Sequence, residues 1–241
     1  MEIKINDMNF IALSGLPRTG STLLSAILSQ NPNIHAEGNS ALCQLMWDMQ
    51  VSCETSEQLR ASPTRKFIDQ DALVSAIPQI YYRGITAEYI FDKCRSWTLS
   101  PNMEMIKRYI TKQPKVIVML RPIDEIVKSF EKLYQSNNVD KDVSLLLEEG
   151  SEPLMRSLDG VEQAQKNNTG EFLFIQYRDL VNDTVNTIKS IYQHCGLEIF
   201  EHNLANIVNK FPEDDSVYGL EGMHAVRPTI REQTNTSVGF G

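Results

Sequence analysis

The sequence lacks several features that would each have indicated a particular class of protein. Its 241 residues contain no apolar run long enough to span a membrane, and the first seven residues lack the basic and apolar regions of a signal peptide. Lysine and arginine number 23 against 31 acidic residues, and the resulting net charge of −8 argues against non-specific binding to nucleic acid. We therefore expect no nucleic-acid partner and no membrane partner.

Cysteine is also scarce, and its spacing excludes a structural zinc site. The four cysteines, Cys43, Cys53, Cys94 and Cys195, are scattered and form no Cys-x-x-Cys pair. This usage is typical of reduced thiols and predicts a cytoplasmic protein, although Cys43 and Cys53 could pair in an oxidising compartment. With no internal repeat and 41% hydrophobic residues, we predict one domain over residues 1–241 with an extended C-terminal segment from about residue 212.

One short segment carries the strongest chemical signal. Residues 15–22 read Gly-Leu-Pro-Arg-Thr-Gly-Ser-Thr, which has the spacing of a Walker A phosphate loop. Ser21 stands where such a loop has its lysine. Because that lysine serves the β- and γ-phosphates of a nucleoside triphosphate, its replacement predicts a different phosphate ligand.

The residues around this loop predict an anion site. The apolar run at 9–13 is typical of a buried strand, and residues 21–28 have the pattern of a helix that ends at Asn31-Pro32. The start of a helix presents free backbone N–H groups and the positive end of its dipole to a ligand. Arg18 adds a permanent cation that can contact a phosphate or sulfate through two N–H groups.

Later segments predict a parallel α/β sheet. Apolar runs at 89–93, 115–120 and 171–176 alternate with helical patterns. Ligands of such sheets bind beyond the carboxyl ends of the strands. The phosphate loop, Lys93, Arg121 and Tyr177 all follow predicted strands, so we expect them to converge on one crevice.

Three of these segments, in this order, resemble the PAPS-dependent sulfotransferases, especially the tyrosylprotein-sulfotransferase-like branch. PAPS is 3'-phosphoadenosine-5'-phosphosulfate, and PAP is its desulfated product. Residues 15–24 resemble the family's 5'-phosphosulfate loop. Residues 118–129 resemble its 3'-phosphate motif, with Arg121 after a strand and Ser129 eight residues later. Residues 177–180, Tyr-Arg-Asp-Leu, resemble a family element whose tyrosine contacts the nucleotide.

The resemblance implies a fold, a reaction and a set of donor contacts. The fold would be a P-loop NTPase-like three-layer arrangement with a central, mostly parallel sheet flanked by helices. The enzyme, of EC 2.8.2 type, would move a sulfuryl group from PAPS to a hydroxyl by in-line displacement, and no metal is expected. The implied donor contacts are Pro17, Arg18, Thr19, Gly20, Ser21, Thr22, Arg121, Ser129 and Tyr177.

The resemblance also implies catalytic residues. Residues 31–37 resemble the family segment that carries the general base, which places that role on Glu37. His35 is the alternative, because its unperturbed pKa lies nearest neutrality. Lys93 and Arg18 would stabilise the transferring group. His224, Arg227 and Arg231 would replace C-terminal donor contacts of the branch that have no clear counterpart here.

Two other functions remain open from the sequence. The first is a small-molecule kinase or other P-loop NTPase, which would need a Mg²⁺-binding aspartate after a strand, and Asp92 and Asp124 are its candidates. The second is a catalytically silent nucleotide-binding protein. The acceptor hydroxyl of a sulfotransferase would belong to a peptide, a glycan or a small molecule, bound by residues 40–84 and 133–170. A homodimer remains open.

Overall fold

A five-stranded parallel sheet forms the centre of the molecule. The computed structural model describes residues 9–231, so the N-terminal residues that bear on a signal peptide lie outside the described residues. The strands are β1 (Asn9–Gly15), β2 (Ile34–Ala36), β3 (Tyr89–Lys93), β4 (Lys115–Leu120) and β5 (Phe172–Gln176). They lie in the order β2-β3-β1-β4-β5, and every adjacent pair is parallel. The predicted α/β fold with a central parallel sheet is thus confirmed.

Helices cover both faces of this sheet. They are α1 (Ser21–Leu28), α2 (Leu42–Thr55), α3 (Glu57–Ala61), α4 (Gln70–Tyr81), α5 (Ser100–Tyr109), α6 (Ile123–Ser136), α7 (Met155–Lys166), α8 (Tyr177–Asn182) and α9 (Thr184–Cys195). Short 3-10 helices occupy Arg65–Phe67, Arg95–Thr98, Val143–Leu147 and Asp215–Tyr218. Among the described helices, none is long and apolar enough to cross a membrane.

The two faces of the sheet belong to separate hydrophobic cores. Phe10 and Ala12 of β1 pack with helices α2, α5, α6 and α7, whereas Ile11 and Leu13 pack with α1 and α9. Successive strand residues point to opposite faces, so a continuous apolar strand supplies both cores at once. This arrangement gives the predicted three layers and leaves the carboxyl edge of the sheet open for a ligand.

Helix α4 contains a proline close to its end. It continues through Pro78, and the Tyr82 amide donates to the Pro78 carbonyl at 3.1 Å. At this position the loss of one amide donor interrupts little regular structure. Helix α7 lies inside the predicted acceptor region at 133–170, and α8 begins directly at Tyr177.

The cysteines form no disulfide, although the Cys43 and Cys94 thiols both contact the Ser96 hydroxyl, at 3.6 Å and 3.1 Å. All four are free, so the alternative pairing of Cys43 with Cys53 is not seen. The cytoplasmic location stays a prediction.

Candidate active site

The phosphate loop is shaped by close contacts that only glycine permits. Gly15 ends β1 with φ of +123°, and a Cβ there would lie 2.1 Å from the Met119 carbonyl oxygen of β4. Gly20 precedes α1 with φ of +78°, and a Cβ there would lie 2.8 Å from the Tyr177 ring. The loop therefore lies tightly between β4 and the start of α8, as a backbone cradle requires.

The N-terminus of α1 forms the floor of this cradle. Ser21 is the first residue of the helix, and its first turn contains no acidic residue. The Thr19 hydroxyl donates to the Leu16 carbonyl at 2.8 Å, which fixes the loop from within. The first amides of a helix have no partner inside the helix, so they are available to an anion.

The Arg121 side chain joins the loop to α8. Its guanidinium donates to the Arg18 carbonyl at 2.9 Å and forms an ion pair with Glu125 at 2.9 Å. Its central carbon lies 4.4 Å from the centre of the Tyr177 ring. This stacking leaves the edge of the guanidinium free to bind an anion while the ring restricts its movement.

The Arg18 side chain joins the loop to α6 and to the C-terminal segment. It donates to the Ser129 hydroxyl at 3.1 Å and to the Met223 carbonyl. Ser129 lies two turns into α6, on the face that returns toward the loop. Arg18 and Ser129 can therefore contact the same bound molecule.

These residues line a cavity of about 480 Å³ at the carboxyl edge of the sheet. All the predicted donor contacts border it: Pro17, Arg18, Thr19, Gly20, Ser21, Thr22, Arg121, Ser129 and Tyr177. The predicted catalytic Lys93 and the three C-terminal candidates His224, Arg227 and Arg231 also border it. The structure thus brings together the predicted donor contacts, Lys93 and the three C-terminal candidates, whereas the segment at 35–37 does not border this cavity.

The lining is strongly cationic although the protein is acidic overall. Among the described residues, six arginines and lysines border the cavity and no aspartate or glutamate does; the six are Arg18, Lys93, Arg95, Arg121, Arg227 and Arg231. The net charge of the whole chain is −8. So marked a separation of charge is typical of a site for an anion that carries more than one negative charge.

Burial and neighbouring cations lower the pKa of two of these groups, Arg18 and Lys93. Burial, and then the proximity of Arg121, lower the pKa of Arg18. Burial, and then Arg95, lower the pKa of Lys93 from 10.5 to about 8. A bound anion would oppose both effects and hold these side chains in their charged forms.

Asp92 and Asp124 do not face this cavity. Asp92 is completely buried and accepts hydrogen bonds from Ser40 at 2.6 Å, Tyr82 at 2.5 Å and Trp97 at 2.6 Å. Burial raises its pKa, whereas these three donors lower it. Asp124 pairs with Lys128 at 3.1 Å on the surface. The kinase or NTPase alternative is not favoured, because its candidate Mg²⁺ ligands are engaged elsewhere.

Glu37 and His35 lie outside the residues that border the cavity. His35 is buried beside the Tyr82 and Phe211 rings, whose centres lie 5.8 Å and 4.9 Å from its own. Its Nε2 atom lies 3.0 Å from Glu37 Oε1, and the Glu37 side chain is 39% exposed. The general-base assignment to Glu37 stays a prediction.

Several residues near the cavity were not predicted from the sequence. Arg95 follows Lys93 by two residues at the end of β3, and that spacing was a usable signal. Glu213 and Asp215 gave no signal, because their segment has no periodic pattern. Asp215 Oδ1 lies 2.6 Å from His224 Nδ1, and Glu213 Oε2 lies 3.4 Å from the same atom.

The fold and the site define a three-layer α/β protein with a P-loop-type phosphate site at the carboxyl edge of its sheet. The model of the sulfotransferase family matches residues 11–202, so the chain belongs to the sulfotransferase family and is a sulfuryl-transferring enzyme. Among curated proteins, no sequence matches the chain. The tyrosylprotein-sulfotransferase-like branch stays a prediction.

Solved structures agree with this fold at low sequence identity. The sulfotransferase domain of the Synechococcus PCC 7002 olefin synthase is 17% identical, with a TM-score of 0.57 over 94% of this chain and 90% of that one. A sulfotransferase domain from the curacin biosynthetic pathway is 14% identical, with a TM-score of 0.55 over 85% and 78%. A sulfotransferase from Alicyclobacillus acidocaldarius is 14% identical, with a TM-score of 0.54 over 87% of both chains.

Proposed function

We propose that the enzyme transfers a sulfuryl group from PAPS to a hydroxyl acceptor and binds PAPS in the cationic cavity. Sulfotransferases in general use PAPS as their donor and act on hydroxyl acceptors. The observation that carries the proposal is the cavity lining, in which the described residues supply six cations and no carboxylate. PAPS has two phosphate-bearing positions and a sulfuryl group, which together match such a lining.

The donor would extend between the two ends of this lining. We assign the 5'-phosphosulfate to the loop at 17–22, where the α1 amides face the cavity. We assign the 3'-phosphate to Arg121 and Ser129, and the nucleotide contact to Tyr177. The hydrogen bond between Arg18 and Ser129, 3.1 Å long, supports this assignment because it joins a residue of the loop to a residue of the proposed 3'-phosphate site.

The reaction would be an in-line displacement at sulfur. The acceptor oxygen forms a bond to sulfur while the bond between sulfur and the oxygen of the 5'-phosphate breaks, and PAP leaves with that electron pair. Lys93 and Arg18 would stabilise the negative charge on the sulfuryl oxygens. A base must take the acceptor proton. The sequence assigns this role to Glu37, with His35 as the alternative.

We expect the reaction to need no metal, because side-chain cations already surround the phosphate groups. The acceptor class stays open between peptide, glycan and small molecule, and the homodimer stays a prediction. Helices α2 and α4, within the predicted acceptor region, share a hydrophobic core with Ile90 of β3 and would form one wall of the acceptor entrance.

Ligand-dependent melting tests the donor assignment. A ligand that binds only the folded protein raises the melting temperature by mass action. PAP and PAPS should stabilise the protein, with or without Mg²⁺, and ATP with Mg²⁺ should stabilise it less. Stabilisation by ATP with Mg²⁺ but not by PAP would contradict the proposal. Transfer of labelled sulfate from PAPS to a panel of hydroxyl compounds then tests turnover and distinguishes an enzyme from a silent binding protein.

A further inference from the structure

The C-terminal segment brings an oriented histidine to the cavity. The ring of His224 lies with its Nδ1 atom 2.6 Å from Asp215 Oδ1, and the His224 backbone amide donates to Asp215 Oδ2 at 3.0 Å. One carboxylate therefore holds both the ring and the backbone of the same residue. Only a tenth of each side chain is exposed.

This contact determines which ring nitrogen is basic. A carboxylate next to Nδ1 favours the tautomer that carries its proton there, so the free electron pair lies on Nε2. Within residues 9–231, no group forms a hydrogen bond with His224 Nε2, and His224 borders the cavity. An imidazole oriented in this way can accept a proton and hold it while the neighbouring carboxylate stabilises the resulting positive charge.

The position of His224 matches the place where a base is needed. Its chain neighbour Met223 accepts a hydrogen bond from Arg18 of the phosphate loop. His224 and Lys93 border the same cavity, and the electrostatic effect of Lys93 reaches Glu213 beside the His224 ring. The histidine thus borders the same cavity as Arg18 and Lys93, the two cations proposed to hold the sulfuryl group.

Glu213 adds a second carboxylate behind the ring. Its oxygen lies 2.5 Å from the position that a Cβ on Gly38 would take, so glycine at that position makes room for it. Both Glu213 carboxylate oxygens are buried, and no described residue donates a hydrogen bond to them. Glu213 Oε2 lies 3.4 Å from His224 Nδ1, so this second carboxylate would stabilise the positive charge that proton transfer to the ring produces.

We propose that His224, oriented by Asp215, is the base that accepts the acceptor proton during sulfuryl transfer. This inference rests on the proposed function. The acceptor hydroxyl gives its proton to Nε2, its oxygen forms the bond to sulfur, and the bond from sulfur to the donor phosphate breaks so that PAP leaves. The imidazolium then returns its proton to solvent. His224 takes the role that the sequence assigned to Glu37.

The charged and titratable groups around the ring come from several elements. Those that face His224 or its immediate neighbours are Glu213, Asp215 and Tyr218 of its own segment, Lys93 and Arg95 at the end of β3, and Arg18 of the loop. The two carboxylates contact the ring directly, whereas Lys93 and Arg95 act on Glu213 and Arg18 contacts Met223.

Four single variants test the proposal: His224→Asn, Asp215→Asn, Asp214→Asn and Glu37→Gln. Each is measured for PAP affinity and for the kcat of sulfate transfer. His224→Asn should lower kcat by at least about 100-fold, the usual contribution of a general base, with PAP affinity within about twofold of the wild type. Asp215→Asn should lower kcat by at least about tenfold with PAP affinity within about twofold of the wild type, because it removes the carboxylate that orients the ring and stabilises its positive charge. Asp214→Asn, on the adjacent exposed side chain, should leave kcat unchanged.

Two results would overturn the inference. One is a His224→Asn variant that keeps wild-type turnover while Glu37→Gln loses it. The other is an Asp215→Asn variant whose kcat equals that of Asp214→Asn. If His224→Asn fails to bind PAP, the kcat of Asp215→Asn still decides, because an asparagine keeps an acceptor for the ring N–H. Failure of the wild type to bind PAP would overturn both proposals, whereas PAP binding with an unaffected His224→Asn variant overturns only this one.

Discussion

The cavity has two walls that differ in origin. The donor wall consists of the loop at 15–22, the start of α6 and Tyr177, and each part directly follows a strand of the sheet. The C-terminal wall, residues 212–231, contains one 3-10 helix among its described residues and is attached by scattered side-chain contacts. Asn39 donates to the Tyr218 hydroxyl at 3.2 Å, and Asn137 donates to the Glu221 carbonyl at 3.1 Å.

The difference in construction corresponds to a difference in charge. The donor wall presents arginines whose positions are fixed by the sheet, by a tyrosine ring and by the loop backbone. The C-terminal wall has Arg227 and Arg231 at the cavity, but it also places the carboxylates of Glu213 and Asp215 behind His224. We infer that the donor wall binds the anionic donor and that the C-terminal wall accepts the proton of the acceptor hydroxyl.

Arg18 contacts both walls, and its loss should have the largest effect. The variant Arg18→Ala removes a cation from the phosphate loop and the hydrogen bond to Met223. We expect kcat/KM for sulfate transfer to fall by about 1000-fold, the upper range for losing one charge-stabilising donor. Arg18→Lys should recover only part of this, because lysine lacks the two-pronged geometry. If kcat/KM falls by less than tenfold in Arg18→Ala, neither wall depends on this residue for its function.

Asp92 tests whether the end of β3, which carries Lys93 to the cavity, depends on a buried polar network. Asp92→Ala removes the acceptor for three buried donors, and we expect a loss of about 3–5 kcal/mol in the free energy of unfolding. Chemical denaturation measures this directly. Asp71→Ala is the matched control, since its ion pair with Arg108 is exposed and contributes little. Equal effects in the two variants would contradict the structural role assigned to Asp92.

The lowered pKa of Lys93 predicts a pH dependence of kcat/KM that arises inside the cavity. Its pKa of about 8 lies below the ordinary 10.5, so the free enzyme loses this charge as pH rises through 8. We expect kcat/KM to decrease above that pH, because the uncharged amine cannot stabilise sulfuryl oxygens. The lowered pKa also affects stability, because burying the charged amine lowers the free energy of unfolding. This loss is complete below pH 8 and disappears as pH rises from about 8 to 10.5.

The variant Lys93→Arg tests whether Lys93 causes the decrease of kcat/KM at high pH. Arginine stays charged, so the alkaline limb of kcat/KM should move to higher pH or disappear. An alkaline limb that the substitution leaves in place would assign it to another group and would exclude Lys93 from the charge stabilisation.

Tyr177 should have the smallest effect and should act only on the donor wall. Its ring supports the Arg121 guanidinium at 4.4 Å, and a cation–π contact of this kind contributes about 1 kcal/mol. Tyr177→Ala should therefore weaken PAP binding by about fivefold, whereas Tyr177→Phe should keep the affinity within about twofold. Calorimetric titration with PAP distinguishes them. Equal losses in both variants would show that the hydroxyl, and not the ring, makes the contact.

Local patterns explain how much of the fold the sequence could predict. Strands β1, β3, β4 and β5 were predicted because each is a short apolar run followed at once by polar or charged residues. Strand β2 has three residues, too few for a period to show. Helix α7 was missed because its buried side includes Ser157, Gly160 and Ala164, which do not form an apolar stripe.

Some parts of the site could be predicted from local sequence patterns and others could not. The predicted donor contacts lie together because the carboxyl ends of parallel strands must meet at one edge, which is a rule of topology. The orientation of Glu37 toward His35 depends on side-chain packing that no local pattern encodes. The contact between Asp215 and His224 depends on the path of a segment without regular structure. Both contacts can be found only in the three-dimensional structure.

The discrimination between PAP and AMP tests the central claim most directly, because AMP lacks only the 3'-phosphate. Calorimetric titration of the wild type should show PAP binding on the order of 100-fold more tightly than AMP, as expected for charge-assisted contacts from Arg121 and Ser129. In Arg121→Ala this preference should largely disappear, while AMP affinity changes little. Equal affinities for PAP and AMP in the wild type, or a preference that survives in Arg121→Ala, would contradict the assignment of this cavity as the PAPS site.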